Sequence, residues 1–263
     1  MTALEDEAID IIQKAYSGAK SDHSLSNVLK STTSQSLLDS IRSGADRSNE
    51  IWSKLHLDRR SLQKIFENPN IPELQLPDFC KQIIFPFGPY TVNGYVFKTG
   101  DNDCVLFDAG TRAYDYLTFL NQHNLTPSKL LITHDHSDHI GGTSELRKKF
   151  PKMKVLSSSN QSIQTGDILQ ESNYTLTAIS CSGHSIDALA YFIQAKDQNF
   201  LISGDTIFAR SVGKIPRNYL HSLQLIETRL LSLPEDTLIL PGHGPVTTIA
   251  DEKQHNPFFA KSL

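Results

Sequence analysis

The order of apolar and polar residues divides the chain into two parts that meet near residue 78. In the first part, apolar residues recur every three or four positions, which is typical of amphipathic helices. The first set of such positions is Leu4, Ala8, Ile11, Ile12, Ala15 and Tyr16. Gly18 follows this set and predicts the end of the first helix.

A second helical run in the first part begins about thirty-five residues later along the chain. Its apolar positions are Ile51, Trp52, Leu55, Leu62, Ile65 and Phe66. Eleven serines within residues 17–53 indicate short helices, because serine favours helix ends and turns. The prolines at positions 69, 72 and 77 then predict an extended linker. We therefore expect residues 1–78 to form a helical extension with a proline-containing linker.

From Cys80 onward, the pattern changes to short β-type runs broken by glycine. These runs are IIFPF (83–87), VNGYVF (92–97), CVLFDAG (104–110), KLLIT (129–133), ALAYFI (188–193), NFLISGD (199–205) and TLILPGHG (237–244). Helical patterns lie between some of them, at residues 112–123, 143–150 and 218–231. Residues 79–263 are therefore predicted to form an α/β domain.

Charge and cysteine content narrow the classes of partner. The 25 basic and 29 acidic residues give a net charge of −4, so no nucleic acid and no anionic membrane is expected as a partner. Cys80, Cys104 and Cys181 form no CxxC motif, which argues against a disulfide framework and against a cysteine-ligated metal. The first ten residues lack the features of a secretory signal, and no apolar run approaches eighteen residues. These features predict a cytoplasmic protein.

The segment Thr133–Gly142, THDHSDHIGG, places four side chains that can bind metals within six residues. His134 and His136, two positions apart, can point the same way from an extended or turning backbone. Asp138 and His139 follow as the chain turns towards a helix, so they can point towards a second ion. A packing role explains these residues poorly, because each ionisable group at a buried strand end would need a polar partner. A solvated polar loop is the remaining alternative.

Three further residues of metal-binding type each follow an apolar run and adjoin a glycine: His184, Asp205 and His243. A strand fixes the backbone at such a position, and the glycine lets it turn sharply towards a ligand. Each residue alone could be an ordinary turn residue or a helix cap. Together with the 134–139 segment they make five histidines and two aspartates, which suits two ions such as zinc, iron or manganese better than calcium or magnesium. Seven ligands for two ions leave room for solvent, as in catalytic sites.

The pattern HxHxDHxGG, followed by GH, GD and PGHG, resembles the metallo-β-lactamase superfamily. The resemblance extends from about residue 80 to the C-terminus. Residues 204–214 and 240–258 are most similar to the glyoxalase II-like hydrolases, which are hydroxyacylglutathione hydrolase-like enzymes. The resemblance implies an αβ/βα sandwich, with two β-sheets packed between helices, preceded here by the helical extension.

The resemblance also implies a role for each candidate residue. One divalent ion would be held by His134, His136 and His184, the other by Asp138, His139 and His243, and Asp205 would bridge them. Asp138 and Asp205 are therefore also the expected catalytic residues. Asp108 matches a strand-end aspartate that supports the ligand shell, although an ordinary turn aspartate before Gly110 is equally compatible with the sequence.

The function that the resemblance implies is hydrolysis of a small-molecule thioester, such as an acyl-glutathione. The two ions, in the first instance zinc, would supply hydroxide and stabilise the developing oxyanion. Lys214 stands where relatives of this kind place a basic residue that holds glutathione, although a solvated loop lysine is the alternative.

Other functions stay open at this point. Persulfide dioxygenases resemble the same family but use one iron, which would be held by His134, His184 and Asp205. Lactonases and nucleases share all seven ligands, and the run RKKFPKMK (147–154) is the basic cluster that a nuclease could use, although such a run is more often a solvated helix end. A non-catalytic binding protein is a further alternative. The N-terminal helices are expected to cover the active site, mediate dimerisation or bind a partner.

Overall fold

The computed structural model describes residues 3–22, 25, 33–43, 49–67 and 71–260. Within these described ranges, the first part of the chain contains four helices: α1 (Ala3–Ser21), α2 (Ser34–Arg42), α3 (Asn49–Lys54) and α4 (Arg59–Glu67). No regular secondary structure occurs in residues 71–77, and Pro69 lies outside the described residues, so the linker stays a prediction. No helix in the described ranges has both the length and the apolar character needed to span a bilayer.

Two predictions for the N-terminal helices are wrong in detail. The helix does not end at Gly18, because α1 continues to Ser21 and Gly18 lies against the ring of Tyr219, where a Cβ atom would overlap that ring. The second helical run is interrupted between α3 and α4. His56 there has a positive φ of 52°, and Asp58 then starts α4 by accepting a hydrogen bond from the Ser61 amide at 2.6 Å.

The remaining residues form two large β-sheets and a small hairpin. The first sheet has the strand order β1-β2-β3-β4-β5, with β1 (Cys80–Phe87), β2 (Tyr90–Lys98), β3 (Asp103–Phe107), β4 (Thr126–Leu131) and β5 (Lys154–Leu156). The second contains β6 (Ile168–Gln170), β7 (Tyr174–Ser180), β8 (Leu189–Ala195), β9 (Asn199–Gly204), β12 (Leu238–Pro241) and β13 (Thr247–Thr248). Its order is β13-β12-β9-β8-β7-β6, and β10 (Ile207–Phe208) pairs with β11 (Ser211–Val212) in the hairpin.

Strand direction brings several strand ends to the same edge of each sheet. In the first sheet, β3 runs parallel to β4, and β4 runs parallel to β5. In the second, β12 is parallel to β9, and β7 runs in the same direction because β8 is antiparallel to both β7 and β9. The carboxyl ends of β7, β9 and β12 therefore share one edge, as those of β3 and β4 do in the other sheet.

The facing sides of the sheets enclose an aromatic core in which Phe97 packs edge-on against Phe107 and Phe200, with ring centroids 5.4 and 5.3 Å apart. The outer face of the first sheet is covered by α5 (Tyr114–Gln122) and α7 (Thr143–Lys149), which follows the short helix α6 (Ser137–Ile140). The outer face of the second is covered by α8 (Tyr219–Leu225), a π-helical turn (Ile226–Leu230) and α9 (Ile249–His255). These layers confirm the predicted αβ/βα sandwich.

The N-terminal helices pack on this second outer face and share its hydrophobic cluster. Ile12 and Trp52 are almost fully buried in it, and burying such a side chain stabilises the fold by roughly 1.5–3 kcal/mol. The Tyr219 hydroxyl donates a hydrogen bond to the Leu55 carbonyl at 2.7 Å. The Asp58 amide donates one to the Pro257 carbonyl at 2.6 Å. A domain boundary at residue 78 stays a prediction, since the helices have their apolar residues in one core with the sheet.

Candidate metal centre

The predicted ligands lie at the edge where the strand ends meet. His134, His136, Asp138 and His139 follow β4, and Asp138 and His139 lie within α6. The other three predicted ligands each follow a different strand of the second sheet: His184 after β7, Asp205 after β9 and His243 after β12. A side chain at Gly242 would overlap the Asp205 carboxylate, so glycine is required where β12 approaches β9.

The first group of ligands consists of His134, His136 and His184. His136 Nδ1 lies 3.0 Å from His134 Nε2 and 2.9 Å from His184 Nε2. Tetrahedral zinc with bonds of about 2.0–2.1 Å separates its nitrogen ligands by about 3.3 Å. The three imidazoles therefore converge at a spacing close to that of one ion's ligands.

The second group consists of Asp138, His139 and His243. Asp138 Oδ2 lies 3.7 Å from His139 Nε2 and 3.4 Å from His243 Nε2. The three donor atoms could hold an ion of their own, separate from the three imidazoles of the first group.

Asp205 lies between the two groups. Its Oδ1 is 3.3 Å from His139 Nε2, and its Oδ2 is 3.4 Å from His243 Nε2 and 3.5 Å from His184 Nε2. One carboxylate thus faces ligands of both groups, which is the arrangement that a bridging ligand requires.

Three of the histidines are held in place through the ring nitrogen that faces away from the centre. Nδ1 of His139 lies 2.8 Å from the Asp108 carboxylate. Nδ1 of His184 lies 3.0 Å from the Lys214 carbonyl, and Nδ1 of His243 lies 2.6 Å from the Thr91 carbonyl. In a neutral ring, donation from Nδ1 leaves Nε2 unprotonated and free to bind a metal. The sequence showed nothing of the two carbonyl acceptors, because any residue type can supply a backbone oxygen.

Asp108 has three hydrogen-bond partners in the site region. Its carboxylate accepts from the Thr133 amide at 2.8 Å and from the Thr133 hydroxyl at 2.9 Å, in addition to His139. Its φ is +53°, a conformation that few residues other than glycine adopt. The geometry supports an orienting role for Asp108, and that role stays a prediction.

Charge and burial place the ligands in different protonation states in the absence of metal. Burial alone would raise the pKa of Asp205, but contacts with His139 and His243 hold that pKa well below its ordinary value. Burial lowers the pKa of His134 to about 2, so its ring is neutral. Burial opposes protonation of His243, yet Asp138 and Asp205 raise its pKa to about 9. Binding of a metal would therefore release protons from this site.

The donor set fits a pair of metal ions. His139 Nε2 and Asp205 Oδ1 are buried and make no hydrogen bond, which is costly for polar atoms unless a cation satisfies them. Imidazole with carboxylate suits zinc, iron or manganese, whereas calcium and magnesium sites are built from oxygen ligands. The assignment of the seven residues to two ions stays a prediction, and these contacts support it.

Five of the seven predicted ligands line a cavity of about 1030 Å³: His136, Asp138, His184, Asp205 and His243. Lys214 also lines this cavity. Apolar surface comes from Phe87 and Tyr90 of the β1–β2 hairpin and from Phe208. Asp10 and Lys14 of α1 also line the cavity, although no motif in the sequence indicated them. They reach it only because α1 packs on the second sheet, more than a hundred residues away along the chain.

Comparison with known sequences agrees with this architecture. Residues 87–176 match the family described as the metallo-beta-lactamase superfamily. The chain is 31% identical over 202 residues to the probable metallo-hydrolase YqgX of Bacillus subtilis, which covers 66% of this chain and 94% of that protein. It is 30% identical over 156 residues to a hydroxyacylglutathione hydrolase of Vibrio cholerae, but spans only 60% of that enzyme's length.

Solved structures lead to the same family. The BLEG-1 B3 metallo-beta-lactamase aligns with a TM-score of 0.62 and 31% identity over 69% of this chain and 100% of its own. A protein crystallised in a di-iron-bound form aligns with a TM-score of 0.52 and 27% identity over 66% of this chain and 98% of its own. From its fold, its histidines and aspartates at the strand ends and these relatives, the chain belongs to the metallo-β-lactamase superfamily.

Proposed function

We propose that this protein is a dinuclear metal-dependent hydrolase that cleaves a small-molecule thioester, with an acyl-glutathione as the expected substrate. The observation that carries the proposal is the placement of Asp205 between two ligand groups on the floor of a large cavity. Two divalent ions held there would lower the pKa of a shared water and polarise the substrate carbonyl. Zinc is the expected metal, with iron or manganese as alternatives.

The chain's own residues would prepare the site in two ways. Asp138 and Asp205, both ionised, offset positive charge and can accept hydrogen bonds from the attacking solvent molecule. The acceptors on His139, His184 and His243 keep the imidazoles oriented, so that little reorganisation is needed during the reaction.

The cavity wall supports a substrate that is both apolar and anionic. Phe87, Tyr90 and Phe208 provide surface for an acyl chain or a thiol carrier, and Lys214, which is exposed, provides positive charge. The glutathione carrier itself is suggested by the name of the Vibrio cholerae relative. Because the chain spans 60% of that enzyme, its substrate is part of the proposal.

The nuclease alternative receives little support from the position of the basic run. Arg147, Lys148 and Lys149 lie in the exposed last turn of α7, and no residue of the run lines the cavity within the described part of the chain. A polynucleotide would therefore have to reach the ligands without help from this cluster.

A substrate panel tests the proposed reaction. Metal-loaded protein would be assayed on S-D-lactoylglutathione, a lactone, a phosphodiester and glutathione persulfide, the last with an oxygen electrode. We expect turnover of the thioester well above that of the other three. Oxygen uptake on the persulfide by protein with one iron per chain would instead indicate a dioxygenase. Preferred turnover of the lactone or phosphodiester would indicate another hydrolase of the superfamily, and none at all a binding protein.

A further inference from the structure

Helix α1 supplies two charged side chains to the wall of the active-site cavity. Asp10 and Lys14 stand one helical turn apart, and Lys14 Nζ lies 2.7 Å from Asp10 Oδ2. The Lys14 side chain is only 18% exposed, whereas that of Asp10 is 53% exposed. The lysine side chain is therefore largely buried, while its carboxylate partner is exposed to solvent.

The surroundings of Lys14 connect it to the metal ligands. Its ammonium lies 5.2 Å from the centre of the Phe208 ring and 3.4 Å from the Ser211 hydroxyl. The same Phe208 ring packs edge-on against the ring of His243, with centroids 5.8 Å apart. One aromatic ring thus separates a largely buried cation from the candidate metal centre. A substrate lying on that ring would extend from the ligands to the lysine.

We propose that Lys14 is a specificity-determining residue that binds an anionic group of the substrate, such as a carboxylate of the thiol carrier, remote from the bond that is cleaved. The inference rests on the proposed thioester hydrolysis and adds a recognition site contributed by the N-terminal helices. Lys14 and Lys214 then provide positive charge from two separate elements of the cavity wall.

A substrate carboxylate is expected to displace Asp10 as the ion-pair partner of Lys14. An ion pair with an exposed partner contributes little, because water solvates the carboxylate almost as well as the lysine does. A substrate carboxylate on the apolar wall would exclude water from the lysine and strengthen the interaction. Asp10 could turn to solvent at small cost when the substrate binds.

The test uses full-length metal-loaded protein and two thioesters that differ at the carboxylates of the carrier: S-D-lactoylglutathione and its diethyl ester, in which both carboxylates are masked. In Lys14→Met, which keeps the apolar stem, we expect KM for the acid to rise roughly tenfold to a hundredfold, as for loss of a hydrogen bond to a charged group. The value of kcat should change less than about twofold, and kcat/KM for the diethyl ester should stay near that of the wild type.

Three further variants separate recognition from packing. Lys14→Arg keeps the charge and should retain most of the affinity for the acid. Lys20→Met makes the same change on an exposed residue of α1 and should leave both substrates unaffected. Asp10→Asn removes the competing carboxylate and should lower KM for the acid, with no effect on the ester. Equal losses on the acid and the ester in Lys14→Met, or no loss at all, would overturn the inference.

Failure of the proposed reaction would be recognised separately. If the wild type hydrolyses neither thioester, calorimetric titration with S-hexylglutathione and with its diethyl ester replaces the kinetic readout. Roughly tenfold weaker binding of the acid alone in Lys14→Met would support the inference, while the proposed hydrolysis would fail. Equal binding of the acid by wild type and Lys14→Met, or no binding by the wild type, would contradict it.

Discussion

The strand ends and helix α1 meet at the cavity, and different interactions hold each of them in place. At the strand ends, ionisable side chains are packed together and held by specific hydrogen bonds, such as that between His139 and Asp108. Helix α1, in contrast, is held by apolar residues such as Ile12, and it presents Asp10 and Lys14 to the same cavity. The candidate site therefore depends on hydrogen bonds between polar groups, whereas the cavity wall beside it depends on apolar packing.

This difference predicts two kinds of response to mutation. Changes at the strand ends should affect metal content and activity more than the folded state. Changes in the apolar face of α1 should lower stability and leave the bound metal in place, because none of the described side chains of α1 belongs to the candidate metal centre. The predictions below test that separation.

The largest effect is expected for Asp205→Ala. Removal of the carboxylate that faces both ligand groups should reduce activity to background and lower the metal content, because both ions would lose a ligand. Elemental analysis and activity assays measure these changes. Asp197→Ala is the matched control, since Asp197 is exposed near the opposite end of β9. Normal metal content and activity in Asp205→Ala would refute the bridging role.

The next largest effect is a loss of folding stability from a change in the apolar face of α1. Ile12→Ala should lower the free energy of unfolding by roughly 2–5 kcal/mol, because it leaves a cavity in the cluster shared with the second sheet. Denaturant titration measures this loss, and Gln13→Ala, on the exposed side of the same helix, should change stability little. Loss of metal in folded Ile12→Ala would break the proposed separation of the two regions.

The third prediction concerns the pH dependence of folding stability, to which Glu252, a buried residue of α9, contributes. Its carboxylate accepts hydrogen bonds from the Arg210 amide and from Asn256, each at 2.8 Å, and contacts the Thr247 hydroxyl at 2.7 Å. Burial raises the pKa of Glu252 from 4.5 to about 7. The folded state thus binds a proton that the unfolded chain releases near pH 4.5, so this group's contribution to stability falls as pH rises to about 7.

The Glu252→Gln variant isolates that contribution. Between pH 4.5 and 7 the wild type should lose about 3 kcal/mol of stability that the variant keeps, since each pKa unit corresponds to about 1.4 kcal/mol. Urea titrations over this pH range measure the difference in stability. Glu145→Gln, at an exposed position of α7, should follow the wild type. Parallel pH profiles for wild type and Glu252→Gln would show that the burial cost is smaller than expected.

The smallest effect is expected for Asp108→Asn, which keeps the shape of the residue and removes its charge. Loss of this support for His139 should lower metal affinity or activity roughly tenfold to a hundredfold. Asp103→Asn, on the exposed start of the same strand, is the control. Unchanged metal affinity in Asp108→Asn would favour the reading of Asp108 as a turn residue alone.

Much of the fold could be predicted because its strong signals are local. The apolar runs at β1–β4, β8, β9 and β12 predicted strands there, since such runs suit buried strands. Strand β7 was recognised only at its end, in the short apolar segment before His184, because the rest of Tyr174–Ser180 alternates polar and apolar residues. The two-residue strands of the β10–β11 hairpin carry too few residues for a periodic signal.

In the candidate site too, some residues could be predicted from the sequence and others could not. His184, Asp205 and His243 could be found because each follows an apolar run and adjoins a glycine, and the structure brings them together with the 134–139 segment. Lys14 could not be found, since its place in the cavity depends on how α1 packs against a distant sheet. The prediction that these helices mediate dimerisation stays open to test.

The central claim is that the strand-end histidines and aspartates hold two metal ions in one centre. Metal content per chain, measured by elemental analysis of protein loaded with excess zinc and then freed of unbound metal, tests this most directly. Two ions per chain are expected in the wild type. A single ion per chain would contradict the dinuclear centre and, with it, the bridging role of Asp205.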